Sequence, residues 1–529
     1  MGTYIYLSFL PNQISRAEWE QVYEESLTLV NAFPFAQIEK RDYFGFQVPV
    51  YTRAKELTEK DRYWRISGDL QSKQFAESFK LYRDLEKYKT NRKEEISDIL
   101  LGDEYNAVSV FDSKTQGLNY HLYILAIAML IESRFPKAAL VSGDIDYLQC
   151  VKAKQWADQY LSSPIELPVR VHVDSLLNRI NDKNELDQIA TIEKWLIADA
   201  EDIFRLIYER FSREAFVTWF CNHLKTYSSP NMVGAVKLFT YYLNLTNDID
   251  GLINMACKTE TGPKYLASDL IRAIAGTWIC LPPEKFSFMD VFGKVPGHPH
   301  IVERQLGTAM LDMMFTGREI KTYIPVEEVA KKFKTHFPEL SSNIDTLLQG
   351  ELERIEQKLS LFHFRIAHVL QLAEQNTDGK TYMADEDAFL YYDGDSVALT
   401  EAQELKIKMV AYAINRFFTD VNADLFKKVL YMQPIEYLKR AFAGYVYEKQ
   451  NLVLTEEAWQ RVVEIDDIHV MRVILAKLII DDISETDDHK VESDFRKAML
   501  ENKKIIEKII AYMDDEQAMN EVESFIDKN

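Results

Sequence analysis

The hydrophobic pattern of this chain changes near residue 180, and this change limits the folds that the chain can adopt. Before it, short segments rich in aromatic and β-branched residues alternate with segments whose apolar residues recur every three or four positions. After it, almost every segment has the spacing of an amphipathic helix. The sequence therefore predicts an N-terminal α/β domain, with a mixed or mostly parallel sheet and flanking helices, followed by a large, irregular all-α region.

The length of the chain predicts several domains, because 529 residues are more than one hydrophobic core usually organises. We expect an α/β domain over residues 1–180, a helical domain over 181–400 and a C-terminal helical domain with an acidic tail over 401–529. From Ser484 onward this tail holds 13 acidic residues against 7 basic ones. We interpret the tail as a solvated helical surface; a docking surface for a basic partner is the alternative.

The first 90 residues contain patterns of both strand and helix. Segments rich in aromatic and β-branched residues predict strands at Tyr4–Leu10, Tyr43–Tyr51 and Tyr63–Ser67. Pro49 cannot donate a backbone hydrogen bond, so it predicts an edge position for the second of these strands. A helix is predicted at Gln71–Tyr88.

A regular alternation of strand and helix follows between residues 106 and 173. Its predicted elements are Asn106–Phe111, Leu118–Arg134, Ala138–Val141, Tyr147–Leu161 and Val169–Val173, in the order β-α-β-α-β. Strands joined by helix-length crossovers are expected to be parallel, because antiparallel neighbours would not need such long connections. We therefore expect the loops that leave these strands to lie side by side.

One short pattern occurs twice, each time at the end of a predicted strand. The two copies are Ile66–Leu70 (ISGDL) and Val141–Ile145 (VSGDI). Ligands of open parallel sheets bind outside the carboxyl ends of the strands. The second copy lies in the β-α-β region, so its strand end is a favoured place for a functional site.

The residues at these strand ends are candidates for metal-assisted chemistry. Asp112 and Lys114 follow one predicted strand, and Asp144 and Asp146 follow the next. Carboxylate oxygens suit Mg²⁺, and a lysine can hold a phosphate group beside the metal. His121 opens the intervening helix, where it could act as a general base. All five are candidate catalytic residues, and the three aspartates are candidate metal ligands.

The same residues also have a structural interpretation. Asp144 or Asp146 suits the N-cap of the next helix, and Gly143 suits a tight turn. His121 can contact backbone at the start of its own helix. The repeat of the motif favours this interpretation, because a turn-and-cap device is easily reused, whereas a second metal site would need further acids. The sequence leaves both interpretations open.

The net charge of the chain indicates which classes of partner it is expected to bind. The chain has 83 acidic and 62 basic residues, which give a formal charge of −21. This excess disfavours binding to nucleic-acid phosphates and to anionic membranes. We expect another protein as the partner, and the charge favours a basic one. The sequence does not predict the oligomeric state.

The cysteines and the N-terminal segment predict a cytoplasmic location. Cys150, Cys221, Cys257 and Cys280 form no Cys-x-x-Cys pair and lie among apolar neighbours, as reduced core thiols do. The first residues lack the positive region and the cleavage site of a signal peptide. The longest uncharged apolar run, Leu122–Ile131, is about half of what would cross a bilayer.

Two functional hypotheses follow from these observations. The first is a non-catalytic cytosolic protein-interaction protein, such as an adaptor, a regulator or an immunity-type binder of a basic partner, which needs no cofactor. The acidity, the large helical surface and the lack of a complete catalytic motif favour it. The alternative is a Mg²⁺-dependent phosphoester hydrolase, or a small-ligand sensor, with its site at the strand ends of the α/β domain.

Overall fold

The fold was obtained as a computed structural model. It describes residues 3–58, 60–89, 107–285, 319–373, 381–383, 385–419, 424–449, 452–483 and 489–527. The predicted fold class is confirmed: the N-terminal region has sheets with flanking helices, and a large helical region follows. Within the described ranges, no helix combines the length and the apolar character needed to cross a membrane.

Most strands lie in the first 143 residues. The strands of the described part of the chain are β1 (Tyr4–Phe9), β2 (Phe35–Tyr43), β3 (Phe46–Arg53), β4 (Glu56–Leu57), β5 (Tyr63–Asp69), β6 (Phe75–Tyr82), β7 (Val108–Lys114), β8 (Ala139–Gly143), β9 (Thr381–Tyr382), β10 (Val397–Ala398) and β11 (Leu454–Thr455).

Helices make up most of the described chain after residue 143. They are α1 (Arg16–Ala32), α2 (Glu86–Lys89), α3 (His121–Arg134), α4 (Tyr147–Ala157), α5 (Val173–Arg179), α6 (Glu185–Trp195), α7 (Ala200–Arg210), α8 (Arg213–Lys225), α9 (Val233–Thr246), α10 (Ile249–Ile253), α11 (Ala267–Gly276), α12 (Val326–His336), α13 (Ser341–Ala373), α14 (Asp385–Tyr391), α15 (Glu401–Thr419), α16 (Asp424–Met432), α17 (Ile435–Glu448), α18 (Glu456–Glu464), α19 (Ile468–Ile483), α20 (His489–Glu501), α21 (Lys503–Met513) and α22 (Glu516–Ile526). Short 3₁₀ or π segments lie at Pro11–Gln13, Asn254–Lys258, Pro283–Lys285 and Pro338–Leu340.

The chain divides into two compact units, each built from separate stretches of sequence. The first contains Met1–Val22, Leu85–Gly117 and His121–Gln375, and the second contains Tyr23–Asp84, Leu118–Tyr120 and Asn376–Asn529. Each unit therefore combines N-terminal strands with helices that come later in the chain. The domain boundaries predicted at residues 180 and 400 concern independent folding, which this division does not test, and they stay predictions.

β1 is the central strand of a three-stranded sheet in the first unit. β7 pairs with one edge of β1 and β8 with the other, and both are antiparallel to it. Ile5, Leu7 and Phe9 are completely buried, whereas Tyr4 and Tyr6 between them are partly exposed. This alternation is the period-two pattern of a strand with one buried face.

We expected the strands between residues 106 and 173 to pair with one another as parallel neighbours, and the observed topology shows that this is wrong. β7 and β8 run in the same direction, but β1 lies between them. The strand predicted at Val169–Val173 is wrong: a turn over residues 169–171 leads into α5, which begins at Val173. Val169 and Val171 are instead buried beside α3, where the backbone N–H of Val169 donates to the Glu132 carboxylate. A tertiary contact therefore overrides the local strand preference.

The second unit contains a six-stranded mixed sheet. Its order is β11-β3-β2-β5-β4, with β6 paired to β5, and only the short β11–β3 contact is parallel. Val48 and Val50 of β3 are buried against helices from the C-terminal part of the chain. One edge of β3 is nearly free of strand pairing, because β11 pairs with it only at Val50 and Tyr51. The position of Pro49 in this strand is consistent with such an edge.

Two predicted elements of this sheet are wrong in detail. The helix expected at Gln71–Tyr88 is mainly β6, which pairs with β5, and only the single turn α2 is helical. The strand expected at Tyr43–Tyr51 is the junction of β2 and β3, which turn at Phe44 and Gly45 with φ of 54° and 87°. A glycine at the second position suits the mirror-image turns that join twisted strands.

The helices of the first unit pack around aromatic side chains. Phe204 of α7 contacts Phe216, Trp219 and Phe220 of α8, with ring centroids 5.5 to 5.8 Å apart. All four are buried within one apolar cluster that extends to α13. Aromatic pairs in such edge-on and tilted arrangements stabilise a core beyond the area that they bury.

Gly143 is required where β8 ends beside the first strand. Its φ is +115°, and a Cβ atom there would lie 2.5 Å from the Tyr4 carbonyl oxygen. Gly350 offers a contrast: it lies within α13, and an added Cβ would have no heavy atom within 4 Å.

We predict that Gly143→Ala destabilises the first unit by at least roughly 1–3 kcal/mol, because β1 must move or the backbone must remain strained. The matched change Gly350→Ala should stabilise the protein by about 0.5–1 kcal/mol through helix propensity. Urea unfolding followed by circular dichroism measures both changes. Equal effects of the two substitutions would contradict the close approach at Gly143.

Candidate functional site

The carboxyl ends of β7 and β8 meet at the same edge of the three-stranded sheet. Lys114 is paired with Tyr4, and Gly143 is paired with Ile5. The two strand ends therefore flank the beginning of β1, as two antiparallel partners of one central strand must. The sheet brings the candidate residues near one another, although one strand separates them.

Asp112 and Lys114 share the partly exposed face of the sheet with two tyrosines. The Tyr4 and Tyr6 rings stack, with centroids 5.3 Å apart, and Lys114 Nζ lies 5.2 Å from the Tyr4 centroid. Asp112 is paired with Tyr6 across the strands and is exposed. Partial burial raises the pKa of Tyr6, and the charges of Asp112 and Asp144 raise it further. The pKa of Tyr6 is thus affected by an acidic residue from each of the two strand ends.

Asp144 fastens the end of β8 to the beginning of β1. Its Oδ2 accepts a hydrogen bond from the Tyr4 backbone N–H at 2.7 Å, and its own N–H donates to the Tyr4 carbonyl at 2.9 Å. Together these bonds extend the antiparallel ladder by one more step. The carboxylate therefore has a structural partner in the backbone.

Asp146 is the N-cap of α4. Its carboxylate accepts from the Gln149 backbone N–H at 2.7 Å, and the Gln149 side chain accepts from the Asp146 N–H at 3.3 Å. This reciprocal pair is a capping box, which satisfies two donors at the helix start. Of the two aspartates offered by the sequence as helix caps, Asp146 is the one that caps.

His121 lies behind the strand ends and is 6% exposed. Its Nδ1 is 2.7 Å from the Thr115 hydroxyl oxygen. Burial lowers the pKa of His121 to about 4, although Asp144, Asp146 and Gln149 act in the opposite direction. The imidazole is therefore neutral near pH 7, with a pKa well below the range that suits a general base there.

The three candidate aspartates differ in what they contact. Asp144 binds backbone, Asp146 caps a helix and Asp112 faces solvent beside Tyr6. In the part of the chain that the structure describes, no three His, Cys, Asp or Glu side chains are grouped as metal ligands.

The first copy of the repeated motif has a comparable structural role in the second unit. Asp69 is completely buried, and its two carboxylate oxygens accept from the Ser72 N–H and hydroxyl at 2.6 Å each. These bonds close the turn between β5 and β6. A Cβ at Gly68 would lie 2.0 Å from the Tyr51 hydroxyl oxygen, so the close packing there requires glycine.

Glu132 is a buried carboxylate that the sequence interpretation missed. It lies in α3 and accepts from the backbone N–H groups of Val141 at 2.6 Å and Val169 at 2.7 Å. Burial raises the pKa of Glu132 to about 7, against the effect of these bonds and of Arg170 and Arg179. The sequence signal that could have identified Glu132 is a single acidic residue near the end of an otherwise apolar helix.

Two concave surfaces in the described first unit lie away from the strand ends. One, of about 510 Å³, lies between α12 and α13 and is lined mainly by charged side chains such as Glu327, Lys331 and Asp345. The other, of about 130 Å³, lies beside α11 and α13 and includes Arg272 and Arg354. Charged or polar residues make up at least half of each lining, whereas pockets for small ligands are lined mainly by apolar residues.

An exposed apolar surface lies on α16 and the start of α17 in the second unit. We call it the α16–α17 surface, and its members are Leu425, Val429, Tyr431, Met432 and Tyr437, which are 73%, 41%, 49%, 78% and 48% exposed. Leu425, Val429 and Met432 follow the spacing i, i+4 and i+7 and therefore share one face of α16.

The other side of α16 is anchored to the rest of the second unit. Leu430 is buried, and the Arg472 guanidinium donates to the carbonyls of Leu430 and Tyr431 at 3.1 and 3.2 Å. Arg472 also lies 4.6 Å from the Tyr431 ring centroid, and Phe418 packs against the same ring. The exposed apolar side chains are therefore carried by a helix that is held in place.

Comparison with protein-family models, with curated proteins and with solved structures finds no match. The function is therefore inferred from the residues and their geometry alone.

We predict that Asp144→Ala lowers stability by roughly 1–3 kcal/mol, because the Tyr4 N–H loses a charged acceptor. Asp144→Asn keeps an acceptor oxygen and should retain most of the stability. Melting temperatures with and without Mg²⁺ test this, and we expect Mg²⁺ to have no effect on any of the three proteins. A stabilisation by Mg²⁺ that both variants lose would instead identify a metal ligand.

We also predict a pH-dependent stability that depends on Glu132. Its folded pKa of about 7 exceeds the ordinary value of 4.5, so its favourable contribution is complete below pH 4.5 and is lost as the pH rises through 7. The full change corresponds to roughly 3 kcal/mol. Urea unfolding at pH 5 and pH 8 should show that Glu132→Gln removes this change, while Glu166→Gln, at an exposed site, keeps it. A parent protein that is equally stable at both pH values would contradict this role.

Proposed function

We propose that this chain is a non-catalytic protein that binds another protein through the α16–α17 surface. The observation that carries the proposal is the exposure of Leu425 and Met432, which are 73% and 78% exposed on one face of an anchored helix. Scattered exposed apolar residues are common, but Leu425, Val429 and Met432 are neighbours on one face of α16, and a group of large apolar side chains marks an interaction surface.

The physical basis of binding is the apolar area that a partner would remove from water. Full burial of a leucine, valine or methionine side chain contributes roughly 1.5–3 kcal/mol. Tyr431 and Tyr437 in the same stretch of sequence are also exposed, and tyrosine is enriched among the residues that dominate binding energy. Because Arg472 and Phe418 fix Tyr431, little conformational freedom would be lost there on binding.

The strand ends of the first unit support a binding function more than a hydrolase. Asp144 and Asp146 are engaged with backbone N–H groups, and His121 is buried with a low pKa. A hydrolytic site would need these groups to converge on a substrate from an open position. The hydrogen bonds of Asp144 and Asp146 stabilise the end of β8 and the start of α4, which supports the structural interpretation of these two residues.

We place this function in the cytosol. The proposal is supported by the four cysteines, all of which have free thiols, with Cys150, Cys221 and Cys280 buried. Unpaired thiols of this kind are typical of proteins in a reducing compartment.

The test compares partner capture by the full chain and by variants in its native host. We expect the parent to retain a stoichiometric protein under gentle lysis, and Leu425→Asp/Met432→Asp to lose it. The matched control is Leu266→Asp, which changes a leucine that is 69% exposed in the first unit and should keep the partner. Exposed substitutions usually change stability by less than about 0.5 kcal/mol, so melting temperatures should remain similar.

Two results would contradict the proposal. One is a parent chain that remains free of any partner. The other is retention of the same partner by Leu425→Asp/Met432→Asp.

A further inference from the structure

We infer that the α16–α17 surface binds an amphipathic helix whose apolar stripe is flanked by acidic residues. The inference rests on the proposed function and specifies the chemistry of the partner at the same surface.

The stretch of sequence that carries this surface is basic, whereas the chain as a whole is acidic. Residues 416–440 contain five bases (Arg416, Lys427, Lys428, Lys439, Arg440) and three acids (Asp420, Asp424, Glu436), a formal charge of +2 against −21 for the chain. Lys439 is buried and pairs with Glu436, and the remaining four bases and two acids also give +2. A local reversal of charge next to exposed apolar side chains is a feature of selective contact surfaces.

Two bases directly adjoin the apolar side chains. Lys428 is three residues after Leu425 and four before Met432, so it borders their stripe on α16. Arg440 is three residues after Tyr437 on α17. It is exposed and has no ion-pair partner among the described residues. A carboxylate of a bound helix could therefore pair with Arg440 without breaking an existing ion pair.

Arg472 adds a third cation at the edge of the surface. Its Nε and one terminal nitrogen donate to carbonyls at the end of α16, and the guanidinium covers one face of Tyr431. A guanidinium has five N–H donors in a fixed fork, so donors remain for a carboxylate of the partner.

The spacing of the apolar residues fits a helical occupant. Leu425 and Met432 are seven residues apart, which is roughly 10.5 Å along a helix axis at 1.5 Å per residue. A partner helix with apolar residues at i, i+4 and i+7 presents a stripe of the same length. Acids beside that stripe would meet Lys428, Arg440 and Arg472.

This partner differs from the basic one that the net charge of −21 favours. Net charge acts mainly on the approach of two proteins, and it is screened over about 8 Å at physiological ionic strength. Residues in contact are affected most by their nearest charges, and Lys428, Arg440 and Arg472 supply three positive charges here. The two expectations give opposite results in a direct binding experiment.

The experiment uses two synthetic helical peptides with the same stripe of leucine and methionine, one flanked by glutamate and the other by lysine. Their binding to the full chain is measured by fluorescence anisotropy at 0.15 M salt. We expect the glutamate peptide to bind at least tenfold more tightly, and Leu425→Asp/Met432→Asp to abolish its binding.

Charge variants test the cations separately from the apolar stripe. Lys428→Glu/Arg440→Glu should weaken the glutamate peptide at least tenfold. The control Lys152→Glu/Lys331→Glu changes two exposed bases of the first unit and lowers the net charge by the same amount, and it should bind like the parent.

Several outcomes would overturn the inference. Tighter binding of the lysine peptide would identify a basic partner and leave the proposed function standing. Failure of both peptides to bind, or binding that survives Leu425→Asp/Met432→Asp, would show that the surface does not select such a helix. A dimer of the parent that Leu425→Asp/Met432→Asp dissociates would make a second copy the occupant instead.

Discussion

The pairing of β1 with both β7 and β8 is the interaction on which the strand ends of the first unit depend. Because β1 is antiparallel to both partners, their carboxyl ends meet beside its first residues. Asp144 then binds the Tyr4 N–H, and Gly143 allows the two backbones to approach. The outer edge of β8 is satisfied from the other side, where Glu132 accepts from Val141. Asp144, one of the polar residues that resemble a reactive cluster in the sequence, thus completes the hydrogen bonding of a sheet.

Buried carboxylates that accept backbone hydrogen bonds recur in this acidic chain. Glu132 joins two backbone segments of the first unit, and Asp69 closes a turn in the second. Glu501, whose side chain is fully buried, accepts from the Thr455 N–H and hydroxyl at 2.6 and 2.7 Å, where β11 passes into α18. Burial of a charge is costly unless it is well paired, so each of these acids is tied to the fold that satisfies it. These buried carboxylates cannot contact a partner, so only part of the negative charge of the chain lies at its surface.

The sequence alone correctly predicted those elements whose local hydrophobic pattern matches their burial in the fold. β1 alternates apolar and partly exposed residues, and α3 is apolar along nearly its whole length, so both were predicted at the correct place. β6 was mistaken for a helix because its pairing with β5 depends on a turn closed by Asp69, and that contact is not visible in the local spacing. The position of β1 between β7 and β8 has no local signal at all, since its partner residues lie about 100 residues or more away.

The candidate site was predictable in the same limited way. The proximity of the two strand ends followed from their common direction, and a capping role was one of the two interpretations of Asp146. The binding of Asp144 to Tyr4 could not be foreseen, because it requires a strand that the β-α-β pattern does not include. The exposure of α16 was also hidden, since an amphipathic pattern indicates which residues share a face but not whether another element covers that face.

The central place of β1 has a consequence for biosynthesis. The ribosome releases β1 before either of its two partners, which begin only at Val108 and Ala139. Until both have emerged, the apolar side chains of Ile5, Leu7 and Phe9 and two unpaired backbone edges remain open to other nascent chains. Closing such long loops is slow because of the entropy lost. Protection by a chaperone during translation should therefore matter more for the N-terminal segment than for the helices that follow.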